Sequence, residues 1–174
     1  IDTRLERLGP ADPNALLLRC TKTRLLMDEG SLQAAAMEMA TYADTARTIW
    51  ANDPRQLAIF RTQEAELKQR LGDLSGAEQL FKLTLSDSID KLSLGDPLGM
   101  VLRNNLGQLY ETMGLFEEAE PLLKDAIALA ESQLGAGHPE TARLQNNLAL
   151  LYESQGRFDF AEPFYESAIA SLTN

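Results

Sequence analysis

The sequence repeats itself after 42 residues. Residues 97–132 align with residues 139–174 without a gap, and 16 of the 36 positions are identical, among them an Asn-Asn pair, a glycine and an Ala-Glu-Pro run. Repeats of this length are typical of stacked arrays. In such an array each repeat buries its apolar face only against its neighbours, so the product is an extended surface. An extended surface favours binding as the function.

The same period continues toward the N terminus. Glycines recur 42 residues apart at Gly30, Gly72, Gly114 and Gly156. The period predicts four repeats, at 13–54, 55–96, 97–138 and 139–174, with residues 1–12 as the end of a preceding repeat. Because Ile1 falls within the pattern, we expect the chain to be a segment of a longer protein.

Each repeat carries the signals of a helical hairpin. In repeat 3, Leu102, Leu106 and Leu109 recur at three- and four-residue spacing, which indicates an apolar stripe on a helix. A glycine then interrupts the pattern, as at many helix C-termini, and a second stripe follows. The spacing therefore predicts an all-α chain of antiparallel helix pairs. The predicted helices are 14–28 with 32–50, 56–71 with 74–92, 98–113 with 116–132 and 140–155 with 158–172, preceded by a short helix at 3–8.

Repeats 1 and 2 are degraded copies of repeats 3 and 4. Glu64 and Lys68 stand in repeat 2 where repeat 4 has Leu148 and Tyr152. In repeat 1, Tyr42 replaces the small alanine of repeats 3 and 4. The glycines and the apolar rows persist, so we predict helical hairpins in repeats 1 and 2 as well.

The chain is acidic, with a formal net charge of −10. Residues 1–96 hold 12 Lys/Arg against 15 Asp/Glu, whereas residues 97–174 hold 4 against 11. Nucleic acids and anionic membranes need a basic face, so neither is expected as a partner. No run approaches the roughly 18–20 apolar residues of a membrane span, and no signal peptide is visible. We expect no membrane insertion and a cytoplasmic location.

Three features could carry chemistry, and each has a simpler interpretation. His138 lies in a linker, where it is interpreted as a polar loop residue. Cys20, the only cysteine, has no histidine in phase with it and is interpreted as a packed apolar side chain. Glu117, Glu118 and Glu120 stand at a helix start, where the helix dipole favours negative charge. No phosphate loop, zinc spacing or nucleophile motif occurs. We predict no enzymatic activity, no metal and no cofactor.

The pattern Asn-Asn-Leu-x-x-Leu-Tyr-Glu-x-x-Gly-x-Phe-x-x-Ala-Glu-Pro occurs at 104–121 and again at 146–163. With a small residue inside it at Gly107 and Ala149, this pattern resembles the tetratricopeptide repeat (TPR), and more narrowly the 42-residue repeat of kinesin light chains. The Leu-Gly-x-x-His-Pro linker at 134–139 fits that subfamily. The resemblance implies a right-handed solenoid whose first helices line a concave groove. It also implies that asparagines of those helices hydrogen-bond the backbone of an extended peptide.

Adjacent asparagines in mid-helix need a reason, because Asn is a modest helix former. An amide has both a donor and an acceptor, which suits a peptide main chain, but a role within the hairpin stays open. Consecutive helical residues point about 100° apart, so one of each pair is enough to face the groove. The groove candidates are Asn104, Asn105 and Gln108 in repeat 3, Arg143, Asn146, Asn147 and Leu150 in repeat 4, Gln63, Glu66 and Arg70 in repeat 2, and Arg24 in repeat 1, with Cys20, Thr21 and Thr62 beside them.

Two functions fit these observations. The first is a non-catalytic scaffold that holds a peptide or helix of a partner protein in the concave groove. The second is an assembly module that joins subunits or domains of a longer parent. The last predicted helix carries more apolar residues than one buried face requires, namely Phe160, Phe164, Tyr165, Ile169 and Leu172. Because exposed apolar patches tend to be covered, we expect this helix to pack on a further element or on a second copy.

Overall fold

A computed structural model describes residues 8–91 and 96–172 of the chain. Within these ranges 84% of the residues are helical and there is no strand. The chain divides into two compact units, which we call the N-terminal unit (Ile1–Leu92) and the C-terminal unit (Ser93–Asn174). Each unit holds two of the predicted repeats, so the units can be compared position by position.

Each unit consists of two helix pairs. The N-terminal unit contains α1 (Pro13–Asp28), α2 (Leu32–Ala40), α3 (Ala43–Ile49), a 3₁₀ turn (Trp50–Asn52), α4 (Pro54–Arg70) and α5 (Leu74–Lys91). In it α1 packs against α2, and α4 packs against α5 and also contacts α1, α2 and α3. The C-terminal unit contains α6 (Leu98–Thr112), α7 (Phe116–Leu134), α8 (Pro139–Ser154) and α9 (Phe158–Leu172). There α6 packs against α7, and α8 packs against both α7 and α9.

At the start of the first helix of every repeat, a side chain that precedes the helix accepts a hydrogen bond from its first turn. The carboxylates of Asp12, Asp53 and Asp96 accept hydrogen bonds from first-turn backbone amides at 2.7, 3.0 and 2.9 Å. In repeat 4 the imidazole Nδ1 of His138 accepts one from the Glu140 amide at 3.1 Å. A proline follows each capping residue, where its missing N–H costs nothing. The predicted loop role of His138 is therefore more specific, because this histidine caps α8.

In each helix pair, a glycine with positive φ lies in the turn between the first and the second helix. In the α6/α7 turn, the Leu115 amide donates to the Tyr110 carbonyl, and the Gly114 amide donates to the Glu111 carbonyl. This Schellman arrangement satisfies carbonyls that the helix end would leave unpaired, and it needs a left-handed residue. The same two bonds recur at all four turns, whose glycines have φ between 70° and 87°: Gly30, Gly72, Gly114 and Gly156.

The second helix of repeat 1 differs from the prediction. The sequence predicts one helix over 32–50, but the structure has two, α2 and α3, with a turn at Thr41 and Tyr42. Tyr42 is 2% exposed, and its hydroxyl lies 2.9 Å from the Thr23 hydroxyl of α1. At the same repeat position α7 and α9 have the buried alanines Ala126 and Ala168. Because a tyrosine ring needs more room between packed helices than a methyl group, we attribute the break to Tyr42.

The other predicted helices begin and end within two residues of the observed ones. The short helix predicted at 3–8 lies outside the described residues, except for Leu8, which is in a bend.

In the N-terminal unit the ring of Phe60 on α4 packs against Tyr42 and Trp50, with both centroid separations at 6.0 Å. This aromatic group belongs to the core that joins repeat 1 to repeat 2.

Candidate functional site

The structure places the two asparagine pairs on neighbouring first helices, α6 and α8. The Asn147 Nδ2 donates a buried hydrogen bond of 2.7 Å to the Asn104 Oδ1. Asn104 in turn donates to the Gln108 Oε1 at 3.2 Å. Asn104 is 1% exposed and Asn147 is 7% exposed. These two predicted groove residues therefore join α6 to α8, the first helices of neighbouring repeats, whereas the alternative left open from the sequence was a role within one hairpin.

An equivalent bond occurs in the N-terminal unit. There the Gln63 Nε2 on α4 donates to the backbone carbonyl of Cys20 on α1 at 2.8 Å. Gln63 and Cys20 are 43 residues apart, as are Asn147 and Asn104, and both pairs occupy the same repeat positions. An amide at this position thus ties a first helix to the one before it. The sequence pattern of a single helix carries no signal for this contact, because the contact depends on how two first helices face each other.

The other asparagine of each pair lies nearer the surface. Asn105 on α6 and Asn146 on α8 are both half-buried, as is Gln108. Asn146 is one helical turn from Leu150, whose side chain is 43% exposed. The C-terminal unit therefore presents amides and an apolar side chain on its first helices.

The charged groove candidates are already engaged with groups of the chain. Arg24 on α1 pairs with Glu66 on α4 at 2.5 Å. The Arg70 guanidinium donates to the backbone carbonyl of Met27 at 2.8 Å. Arg143 holds Glu140 on its own helix through two hydrogen bonds, at 3.0 and 2.6 Å. Of the other two positions named in the sequence, Thr21 is exposed and Thr62 is buried.

Two carboxylates give the first helices of the C-terminal unit an acidic character. Burial raises the pKa of the half-buried Glu111, and no described cation pairs with it. Glu153, at the same repeat position on α8, accepts a hydrogen bond of 2.5 Å from the Tyr165 hydroxyl. Burial and then this bond raise the pKa of Tyr165 to about 12, so it stays a neutral donor at physiological pH.

The remaining candidates for chemistry have structural surroundings. Cys20 is half-buried, and burial raises the pKa of its thiol, which disfavours the nucleophilic thiolate. Glu117 and Glu118 are exposed, and Glu120 accepts hydrogen bonds from three side chains of the C-terminal unit. Among residues 8–91 and 96–172, no three His, Cys, Asp or Glu side chains gather into a metal site. None of the described helices is both long and apolar enough to cross a membrane.

A ring cluster between α8 and α9 was not singled out from the sequence. The Tyr152 ring lies 5.7 Å from that of Phe160 and 5.9 Å from that of Phe164, centroid to centroid. The Arg157 guanidinium lies 4.6 Å from the Tyr152 centroid and 4.4 Å from that of Phe160. The cluster leaves other apolar surface on α9 open, since Phe158 is 64% and Ile169 is 63% exposed.

Comparison with known proteins identifies the repeat type. Residues 99–174 match the model of the tetratricopeptide repeat family. BtubC (BKLC) from P. vanneervenii is 24% identical, with 97% of this chain and 68% of that chain covered, and the TM-score is 0.82. Two crystal structures of a putative kinesin light chain with nearly identical TPR-like repeats from Podosopora anserina are 21% and 20% identical. They cover 98% of this chain and 80% and 81% of theirs, with TM-scores of 0.76 and 0.71.

These likenesses show the fold. The all-α solenoid of antiparallel helix pairs and the resemblance to kinesin light chain-like repeats are thereby confirmed. Among curated proteins, none matches the sequence significantly. Tetratricopeptide repeats generally serve as scaffolds for protein interaction.

Proposed function

We propose that this chain, whose residues 99–174 match the tetratricopeptide repeat family, is a non-catalytic scaffold that holds an extended peptide segment of a partner protein. The segment lies against the first helices, α6 and α8 in the C-terminal unit. The cytoplasmic location expected from the sequence belongs to the same proposal, and fractionation of the source cells tests it.

The observation that carries the proposal is the placement of Asn146 beside Leu150. The Asn104–Asn147 bond leaves Asn146 and Asn105 as the amides nearer the surface. The Asn105 Oδ1 already accepts a hydrogen bond from the Asn104 Nδ2 at 3.3 Å. The Asn146 amide offers a donor and an acceptor to the main chain of a ligand, and the adjacent Leu150 offers a contact to one of its side chains. We therefore carry Asn105, Asn146, Gln108 and Leu150 forward as groove contacts.

The charge of this surface limits the kind of segment that fits. Glu111 on α6 is half-buried without a described cation, and Glu153 lies at the same repeat position on α8, one repeat later. An acidic segment placed here would bring like charges together at a partly desolvated site, which is costly. The proposed segment is therefore uncharged or basic.

Peptides selected on the wild-type protein from a random phage-displayed library test the groove. The Asn105→Ala/Asn146→Ala variant is expected to lose tenfold or more in affinity for the selected peptides, which corresponds to about 1.4 kcal/mol. Glu118→Ala, an exposed change on α7, is the matched control and is expected to bind as the wild type does. Circular dichroism confirms that each variant is folded. Equal affinity of both variants for the peptides would refute the groove.

A second proposal, self-association through α9, is supported by the exposure of Phe158 and Ile169. Light scattering at increasing protein concentration is expected to show a rising mass for the wild type and a constant mass for Phe158→Ser/Ile169→Ser. Neither residue belongs to the ring cluster around Tyr152, so the variant keeps that packing. A wild type that stays monomeric over the whole range would contradict this proposal and leave the peptide groove untouched.

A further inference from the structure

The contact between repeats 1 and 2 shows how one repeat packs on the next. The ring of Phe60 on α4 packs against Tyr42 and Trp50 of repeat 1, and Leu67, also on α4, belongs to the same core. Phe60 is 1% and Leu67 is 3% exposed. A first helix therefore turns these two positions toward the repeat before it.

The same two positions are less buried on α1. Leu18 and Leu25 stand 42 residues before Phe60 and Leu67. Leu18 is half-buried and Leu25 is 48% exposed, and Lys22 lies between them on the same side of the helix. We call Leu18, Lys22 and Leu25 the head face. This face keeps leucines at the two positions that pack on a preceding repeat in repeat 2.

A second face, on α9, corresponds to the other side of that contact. We call Phe158, Glu162 and Ile169 the tail face. Phe158 is 64% and Ile169 is 63% exposed, and Glu162 is exposed as well. The residues at the same positions three repeats earlier pack against the core that joins repeat 1 to repeat 2, and they are Leu32, Ala36 and Ala43. The tail face is thus the surface that a repeat turns toward the next one.

The charges of the two faces are of opposite sign. Between repeats 1 and 2 the position of Lys22 is held by Glu64, which pairs with Arg47 of α3 at 2.5 Å. Lys22 and Arg19 share the single carboxylate of Glu38, at 3.1 and 3.2 Å, which leaves one positive charge in excess beside the head face. In contrast α9 has no Lys or Arg, and its exposed acidic residues are Asp159, Glu162 and Glu166. A tail face therefore suits a head face, whereas two tail faces would bring like charges together.

We propose that the chain associates head to tail, with the tail face of one copy packed on the head face of a second copy. The contact repeats between two copies the packing of repeat 1 on repeat 2 within one copy. This inference rests on the self-association proposed above and names the surface that α9 meets. A dimer formed in this way keeps one head face and one tail face, so association continues beyond the dimer until a ring closes.

Complementary variants test this arrangement by light scattering. Phe158→Ser/Ile169→Ser removes the tail face, and Leu25→Glu places a negative charge on the head face at an exposed position. Each variant alone is expected to be monomeric at concentrations where the wild type exceeds the mass of a dimer. An equimolar mixture of the two is expected to form a dimer, because the intact head face of the first fits the intact tail face of the second. Circular dichroism confirms that each variant is folded.

The outcomes separate the head-to-tail contact from self-association itself. If Leu25→Glu alone kept the mass of the wild type, α9 would meet another α9, and the head-to-tail contact would be overturned although self-association stood. A mixture of the two variants that stayed monomeric would also overturn the contact. A wild type that stayed monomeric would overturn both proposals.

Two further changes on α1 are matched to Leu25→Glu. Leu17 is 43% exposed and points about 100° round the helix from Leu18, so Leu17→Glu is expected to associate as the wild type does. Leu25→Lys removes the same leucine but keeps a charge opposite to that of the tail face. It is therefore expected to associate at least about threefold more tightly than Leu25→Glu. Equal weakening by Leu17→Glu and Leu25→Glu, or equal association of the Lys and Glu variants at position 25, would each overturn the proposal.

Discussion

The N-terminal and C-terminal units form the same two helix pairs with different side chains between the helices. In the C-terminal unit the Phe160 and Phe164 rings, tilted by 44° and 33° to the Tyr152 ring, pack with it between α8 and α9. In the N-terminal unit the corresponding region contains ion pairs: Lys68, at the repeat position of Tyr152, pairs with Asp73, and Arg47 pairs with Glu64. An aromatic pair contributes about 0.5–1.5 kcal/mol beyond its buried area, whereas a partly exposed ion pair contributes about 0–1 kcal/mol. The repeat position therefore fixes where a side chain lies, whereas the residue type at that position differs between the two units.

The units also differ where the two helices of a pair approach most closely. In repeat 3 the approach is so tight that a Cβ added to Gly107 would lie 2.8 Å from the Leu123 side chain. Repeat 1 has Thr23 at the position of Gly107 and Tyr42 at the position of Ala126. The hydroxyls of that pair lie 2.9 Å apart, and the second helix is broken beside them. In repeat 1, the Tyr42 ring and its hydrogen bond with Thr23 thus stand in place of the close approach of the two helices in repeat 3.

Removing Tyr42 is the strongest way to break this comparison. Tyr42→Ala is expected to lower the free energy of unfolding by about 3–5 kcal/mol, because a cavity replaces a ring that packs on Phe60. Urea unfolding followed by circular dichroism measures the loss. If the variant lost less than about 1 kcal/mol, Tyr42 would not be the residue that fills repeat 1.

Tyr42→Phe is the matched control for that change. It keeps the ring and removes only the hydroxyl that lies 2.9 Å from the Thr23 hydroxyl. The expected cost is about 1 kcal/mol, the size of one buried hydrogen bond. A Phe variant as unstable as the Ala variant would show that the hydrogen bond, and not the ring, holds this contact.

The bond between Asn147 and Asn104 gives the next largest expected effect. Asn147→Ala leaves the Asn104 Oδ1 without its donor in a residue that is 1% exposed, so a loss of about 1–3 kcal/mol is expected. The neighbouring Asn146→Ala is the control and is expected to stay within about 0.5 kcal/mol of the wild type. A double-mutant cycle with Asn104→Ala isolates the pair. Equal losses for Asn146→Ala and Asn147→Ala would refute the assignment of the joining role to Asn147 alone.

The features that the sequence predicted well are local. The glycine turns and the helix starts at proline depend on the backbone preferences of a few adjacent residues, so Gly114 and Pro139 indicate them directly. The apolar spacing of three and four residues likewise predicts a helix without reference to its neighbours.

The two features that were not predicted from the sequence each depend on a contact between two helices. The break at Tyr42 depends on the room left by α1, where Thr23 meets the hydroxyl. The role of Asn147 depends on how α8 faces α6, because only that packing decides which asparagine of a pair meets the other helix. A stripe along one helix does not contain this information.

The smallest expected effect concerns Glu120, which has a matched counterpart in the N-terminal unit. The Glu120 carboxylate accepts hydrogen bonds from Lys124, Tyr152 and Arg157 at 2.6, 2.9 and 3.1 Å. Glu78, at the same repeat position, pairs with Lys82 at 2.6 Å in the same i,i+4 arrangement as Glu120 with Lys124. At neutral pH, Glu120→Gln is expected to cost about 1 kcal/mol and Glu78→Gln about 0.3–0.5 kcal/mol.

The pH dependence of the destabilisation caused by Glu120→Gln tests whether this effect is electrostatic. The Lys124 hydrogen bond, followed by those from Tyr152 and Arg157, lowers the pKa of Glu120 in the folded state. A lowered folded pKa means that the unfolded chain takes up its proton first as the pH falls, so this stabilisation is complete above the ordinary glutamate pKa of about 4.3 and is lost below it. The unfolding free energies of the wild type and Glu120→Gln, measured in urea, should therefore converge between about pH 6 and pH 3. A difference that persisted unchanged at low pH would instead mean that the substituted glutamine side chain packs poorly, and the ionic contribution would be discarded.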